Sequence, residues 1–398
     1  MTTAAVGPDR RPRLSGVDAT RGLALLGMMA VHVLPERDPD GSVSTSYLIA
    51  AGRSAATFAV MAGVGLALLT GGTRPPSGRP WASAGAGLAV RALAIGAIGF
   101  AIGYAHSGVA VILPYYAVLF LLAVPLLPLR TRTLAALGLL IAIVVPVVSF
   151  LIRDVDKPPF LGANLTFGHL RDSPGTVLEE LALTGYYPAL AWTAYLCAGL
   201  AAGRLDLLRK RVALGLLVGG ATVAIVAAAT SWGLLGPLGG RDQLAATLSR
   251  PQDVAAIDRM LAEGQFGNVP RTSWWWLAVD SPHASTPLDL LHTSGVAIAL
   301  LGAMLLLARQ TWGRRVMTPV AAAGSMTLTL YTAHVLLLAS GWLPADPEIS
   351  YAVQVVAVLV AATVWRRLLG RGPLERAVAS LAGRARDAVR QVGWVAPD

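Results

Sequence analysis

The chain has 398 residues, of which 55% are hydrophobic and only 14% charged. Soluble domains carry roughly 25% charged residues, so an ordinary globular protein is excluded, and apolar stretches of bilayer-spanning length recur along nearly the whole sequence. The net charge of +10 does not point to nucleic acid, because the basic residues, nearly all arginine, fall between apolar runs rather than on one soluble face.

These runs predict an all-α, polytopic integral membrane protein with about ten transmembrane helices near 16–34, 47–70, 82–104, 109–128, 133–152, 187–203, 212–234, 287–308, 316–340 and 351–368. The first fourteen residues are polar and basic. The apolar run after them lacks a small-residue cleavage site, so it reads as a retained first helix rather than a signal peptide. The span at 187–203 is short and is expected to extend back into Thr184-Gly185-Tyr186-Tyr187-Pro188. Cys197, the single cysteine, lies inside this span, which excludes an internal disulfide or a cysteine metal cluster.

Loop charge sets the expected orientation, with both termini cytoplasmic. Arg10, Arg11 and Arg13, then Arg74 and Arg79, Arg130 and Arg132, Arg204 to Arg211, Arg309 to Arg315 and the basic tail all fall on the inner side. The outer segments hold more acids than bases, the usual positive-inside pattern. The chain divides into a basic cytoplasmic segment at 1–15, a transmembrane domain at 16–370 and a basic amphipathic tail at 371–398, expected on the inner leaflet. Two long outer segments, 153–186 and 235–286, interrupt the domain. The second contains Trp274-Trp275-Trp276, which is expected to anchor at the interface, with stacking on sugar rings as the alternative. No internal repeat is visible, and a composition rich in arginine, alanine and glycine suits a GC-rich bacterium and its cytoplasmic membrane.

Ionisable groups inside a span are costly and become candidates for function. The first helix holds three: Asp18, Arg21 and His32. Eleven residues are three helical turns plus about 20°, so Arg21 and His32 share a stripe, about 16 Å apart along the axis, with Asp18 about 60° from Arg21. Asp18 has a bland alternative, capping the helix with Ser15 and pairing with Arg21, and Arg21 has one as an inner-leaflet anchor. All six histidines fall on or near the outer side: His32, His106, His169, His283, His292 and His334. Only Asp289 and His292 show ligand-like spacing, so no metal is expected. A histidine general base near the outer face fits better, since an unperturbed pKa near 6.5 suits proton abstraction at neutral pH. Arg91, in the inner half of the third span, is placed to meet an anionic ligand. Arg53, in the outer half of the second, is placed to pair with an acid of the outer loops; either arginine could equally snorkel.

Asp18-x-x-Arg21-Gly22 followed by His32 resembles the opening helix of the transmembrane acyltransferase superfamily, and the spacing from Arg21 to His32 matches that of acyltransferase family 3. Three further segments resemble the branch that contains heparan-α-glucosaminide N-acetyltransferase and the bacterial YeiB-type proteins. They are Tyr186-Tyr187-Pro188 with Trp192, Tyr195 and Gly199-x-x-x-Gly203-Arg204; Gly324-Ser325-Met326-Thr327-Leu328-Thr329-Leu330-Tyr331 with His334; and Gly372-Pro373-Leu374-Glu375-Arg376. The heparan enzyme carries its histidine in the first outer loop. Here that loop, Pro35 to Ser46, has none, and the heparan enzyme has an asparagine where His32 falls, so the role of His32 is implied by the resemblance to family 3 rather than to the heparan branch.

The resemblance implies transfer of an acyl group, commonly acetyl, from cytoplasmic acetyl-CoA or another acyl-CoA to an extracytoplasmic sugar or glycolipid. It puts Arg21, with Arg91 and Asp18, on the donor path, and His32 at the chemistry with Tyr331 and His334 completing the site. Interhelical hydrogen bonding is the alternative role for the last two. Ten helices with interior charges also suit a transporter or flippase, although the paired, interrupted helices of internal repeats are not seen. Close glycine and alanine packing would make a homodimer easy to form.

Overall fold

The computed structural model describes residues 14–153, 164–248 and 254–391. Arg10, Arg11 and Arg13 lie outside the described residues, as do parts of both long outer segments and the end of the tail. Among the described residues there is no strand, only an isolated bridge between Arg37 and Val43.

The main helices are α1 (Ser15–Val33), α2 (Thr45–Ala50), α3 (Arg53–Leu69), α4 (Gly78–Ile102), α5 (Leu113–Ala123) and α6 (Thr131–Ile152). Two short helices, α7 (Phe167–Asp172) and α8 (Pro174–Glu179), precede α9 (Ala189–Gly203) and α10 (Lys210–Leu235). After the short α11 (Gly240–Ala245) and α12 (Val254–Glu263) come α13 (Pro287–Leu307), α14 (Thr311–Gly324), α15 (Thr327–Ser340), α16 (Pro347–Leu368) and α17 (Pro373–Gln391). Among the described residues six helical stretches are long and apolar enough to cross a membrane, one of them the joined α2 and α3, and there are seven when α14 and α15, bent by 68° at their junction, are taken as one span. The stretch through α5 and α9 are shorter apolar helices. Helix α1 falls short of that apolarity because it carries Asp18, Arg21 and His32. The chain is an all-helical, polytopic membrane protein.

Helices α1, α3, α9 and α13 pack on one another at the centre. At the edge, α6, α10 and α16 bury little of their surface and expose apolar side chains such as Leu140, Ile225 and Val356. In water such stripes would be unstable; in hydrocarbon they face a matching solvent. Small residues let the central helices meet: Gly199 of α9 lies against the Val60 carbonyl of α3, with Gly63 opposite. Arg204, one residue beyond α9, is 4% exposed and donates to the carbonyls of Ala67 (3.1 Å), Gly72 (3.0 Å) and Leu127 (2.6 Å). It is thus a buried clamp on the open carbonyls at the end of α3, more than an inner-face charge.

Three spans differ from the sequence expectation. The second is broken at Gly52, whose φ of +69° ends α2 and restarts the chain as α3. The sixth does not run back through Thr184–Pro188: a π-helical turn at Glu180–Thr184 ends in extended Gly185, and Pro188 then caps α9. The ninth breaks at Ser325-Met326, and no side chain of its own caps α15. Glu375 takes that place, accepting from the backbone N–H groups of Leu328 (2.7 Å) and Thr329 (3.1 Å) and from Thr329 Oγ1 (2.6 Å). The Gly372-Pro373-Leu374-Glu375 motif is therefore the cap of a helix whose first turn lies 46 and 47 residues upstream of Glu375.

Two surface expectations are also refined. Helix α17 packs along α4 through buried Val378 and Ala382, with Ser83 Oγ donating to the Arg386 carbonyl (3.0 Å). Of the tryptophan triplet only Trp274 is exposed, tilted against Phe150, whereas Trp276 is fully buried in a small core under the second long outer segment.

Candidate active site

The polar interior has two ends. At one, a cavity of about 1550 Å³ opens between α1, the turn after α3, α4, α16 and α17. Asp18 and Arg21 line it together with Arg74, Arg91, Arg366, Arg371 and Arg386. Among the described residues only two acids besides Asp18 face it, Asp206 and Glu375, so its field is positive. An adjoining pocket of about 290 Å³ shares Arg74, Arg91 and Arg386 and adds Arg390. Arg21 donates to the Met61 carbonyl of α3 at 3.0 Å, and its guanidinium rests where Gly65 has no side chain. Asp18 is 4% exposed, with its Oδ2 4.0 Å from Arg366. It forms no capping box: α1 starts at Ser15 after Leu14, without a side-chain cap, because Asp18 turns to the cavity instead.

Toward the other end of α1, His32 Nδ1 lies 3.1 Å from His334 Nε2, with the two rings nearly parallel at 7°. His334 is 3% exposed, and its Nδ1 is 2.8 Å from Oε1 of Gln354 on α16. His283 lies within electrostatic reach of His32 and packs edge-on against Tyr186 and Tyr187 (ring centroids 4.9 and 5.5 Å apart). Burial among these rings pulls the His283 imidazole down to about 4, so it is neutral at physiological pH. The Tyr186-Tyr187 motif continues as an aromatic chain through Trp192 to Tyr195.

Tyrosines lie between the two ends. Tyr331, one turn before His334, accepts from the Ile112 N–H at 3.2 Å. The buried Tyr116 hydroxyl has no hydrogen-bond partner among the described residues, and it is within electrostatic reach of both Tyr331 and Arg21. An orphaned hydroxyl in an apolar bundle is costly unless it serves a ligand or water.

The other charges of the sequence reading separate from this axis. His106 is exposed, and His169 caps α7 with Thr166. His292 pairs with Asp280 (3.2 Å) rather than with Asp289, which accepts from the Ser285 N–H. Arg53 donates to the Leu48 carbonyl of α2 and lies within reach of Asp289. Sequence reasoning did not single out Gln354, Arg366, Arg371, Arg386 or Tyr116. Ser350 and Gln354, polar at i and i+4 inside an apolar helix, were the available sign of an inward-facing stripe.

A membrane bundle with a cationic cavity at one end and a part-buried histidine pair toward the other belongs to the class of polytopic proteins with an internal polar site, which includes both enzymes and transporters. Residues 13–234, more than half the chain, match the catalytic family of heparan-alpha-glucosaminide N-acetyltransferase. The chain belongs to that family and is an acetyltransferase-type membrane enzyme. The match takes in Arg21 and His32 and ends within α10; His334, Gln354 and α17 lie beyond it. A comparison with curated proteins finds no match.

Proposed function

We propose that the protein moves an acetyl group from acetyl-CoA, bound at the arginine end, to an amine or hydroxyl of a sugar or glycolipid at the histidine end. The arginine end would be cytoplasmic and the bundle would cross the bilayer ten times. The observation that carries this reading is the placement on one helix of residues lining an arginine-rich cavity and of a half-buried histidine paired with buried His334, with Tyr116 and Tyr331 between them. Phosphates cannot enter hydrocarbon, and planar guanidinium groups bind them bidentately. Arg21, Arg91, Arg371 and Arg386 would hold the nucleotide, with Asp18 fixing the cavity wall through Arg366, while the uncharged thioester arm threads inward past the tyrosines.

In the transfer step, His32 Nε2 takes the proton as the acceptor's nitrogen or oxygen attacks the thioester carbonyl carbon. The carbon–sulfur bond then breaks, and the departing thiolate takes the proton from the imidazolium. His334 hydrogen-bonds the other ring nitrogen of His32, and Tyr331 would donate to the developing oxyanion. The aromatic cluster around Tyr186 offers faces on which a sugar ring can stack.

The test is purified protein incubated with radiolabelled acetyl-CoA, alone and with glucosamine. Wild type should release CoA above background, and His32→Ala should not. Absence of both acetyl-CoA binding and CoA release in wild type would overturn the reading, and solute uptake into proteoliposomes indifferent to CoA would replace it with transport.

A further inference from the structure

Helix α16 is largely bare on the outside of the bundle and buries only Ser350, Gln354 and Ala362. Two of those three are polar, and both belong to one hydrogen-bonded chain that ends at His32. Packing alone would place apolar side chains at such positions, because a buried amide without partners costs several kcal/mol. We infer that Gln354, hydrogen-bonded to Ser350, is a positioning residue that sets the tautomer of His334 and through it that of His32, leaving His32 Nε2 as the bare, proton-accepting nitrogen.

The direction of each bond follows from the groups. Gln354 Nε2 donates to Ser350 Oγ, one turn earlier, at 3.2 Å. In this orientation Oε1 faces His334 Nδ1 at 2.8 Å. An amide oxygen only accepts, so Nδ1 of His334 carries its proton, and a neutral imidazole has no second one. His334 Nε2 is then an acceptor, and its neighbour His32 Nδ1, at 3.1 Å, must donate to it. His32 has spent its proton on Nδ1, which leaves the lone pair on Nε2. Without Gln354, both rings can exchange tautomers together. The competing arrangement puts a proton on His32 Nε2, where it blocks proton abstraction. Gln354 is 2% and Ser350 3% exposed, so water does not compete for either bond.

The tautomer stands independently of the enzymatic reading; only its consequence for turnover rests on that reading. Protein labelled with ¹⁵N-histidine in lipid nanodiscs at pH 8 reports protonated and bare ring nitrogens separately, with His32→Asn used to assign the resonance. The proton of His32 is expected on Nδ1 in wild type, and Gln354→Met, close in volume, should give a mixture. A proton on His32 Nε2 in wild type, or a Gln354→Met spectrum identical to wild type, would overturn the inference. In turnover, Gln354→Met should lower kcat by about tenfold or more at unchanged KM for the donor, and Gln354→Glu, which also accepts from His334 Nδ1–H, should restore most of it. Ser350→Ala, which frees the amide to flip, should fall between. Full kcat in Gln354→Met would equally overturn it. If wild type transfers no acetyl group, the enzymatic reading fails while the nitrogen spectrum still decides the tautomer.

Discussion

Gly65 gives the sharpest separation between folding and donor binding. A Cβ built there overlaps Arg21 Nη2 and comes within 3.4 Å of its Cζ, but meets no backbone atom. In Gly65→Ala the flexible end of one side chain must therefore move, while the helix itself gains up to about 1 kcal/mol from losing a mid-helix glycine. Against that gain stands the Arg21–Met61 hydrogen bond, worth about 1.5–3 kcal/mol for a charged donor. The net change in stability should be within about 2 kcal/mol. Under the proposed function, however, the displaced guanidinium would lose its contact with a phosphate of the donor. At about 1.5–3 kcal/mol for one charge-assisted bond, acetyl-CoA should bind roughly 10- to 150-fold more weakly. Gly199→Ala is the control: its Cβ overlaps the Val60 carbonyl and lies 3.0 Å from Gly63 Cα, so two helix backbones must part. That costs about 1–3 kcal/mol or more and should appear as a lower melting temperature in detergent. Titration with acetyl-CoA and a thermal melt of both variants check the pair. Unchanged donor affinity in Gly65→Ala beside a loss in Arg21→Ala would refute the reasoning, as would a Gly65→Ala variant that unfolds like Gly199→Ala.

Arg204→Met should destabilise the protein by about 2–4 kcal/mol, since it strips the carbonyls at the end of α3 of their shared donor; a melt in detergent reads this directly. Glu375→Ala should cost about 1–2 kcal/mol by uncapping α15, and protease should cut sooner in the segment joining α16 to α17. His283 gives a pH signature. Its folded-state pKa lies near 4, below the ordinary 6.5, so the unfolded chain binds a proton that the folded chain refuses. Its contribution, at most about 3 kcal/mol, is complete above pH 6.5 and disappears as the pH falls toward 4. The melting temperature of wild type should drop across that window, and His283→Asn, which tolerates the left-handed backbone at φ +56°, should flatten the drop.

Apolar length reveals nearly all the helices, because a membrane demands unbroken backbone hydrogen bonding across some twenty residues. It hides the breaks. Gly52 and Ser325-Met326 lie inside apolar runs, and the cap of α15 comes from Glu375 in the tail, which no local pattern can indicate. Arg21, Asp18 and Arg91 do line one cavity, and His32 does meet His334, since a costly intramembrane charge points inward wherever it occurs. The remaining cavity arginines were hidden in plain view: Arg366, Arg371 and Arg386 look like ordinary positive-inside residues until α17 folds back onto α4. Asp289 and His292 show that nearness in sequence does not make a pair. Neighbours in sequence, they find different partners, because Asp289 serves the start of its own helix while His292 reaches Asp280.

The central claim is transfer across the bundle, from the arginine end to the histidine end. It is tested most directly in sealed proteoliposomes whose protein orientation is fixed by protease access to the C-terminal tail. Radiolabelled acetyl-CoA is supplied only on the side of that tail, and glucosamine only on the other. Labelled N-acetylglucosamine is expected in the glucosamine compartment, with free CoA remaining on the donor side, and neither product with His32→Ala. Product formed only when donor and acceptor share one compartment, or turnover unaffected by His32→Ala, would contradict it.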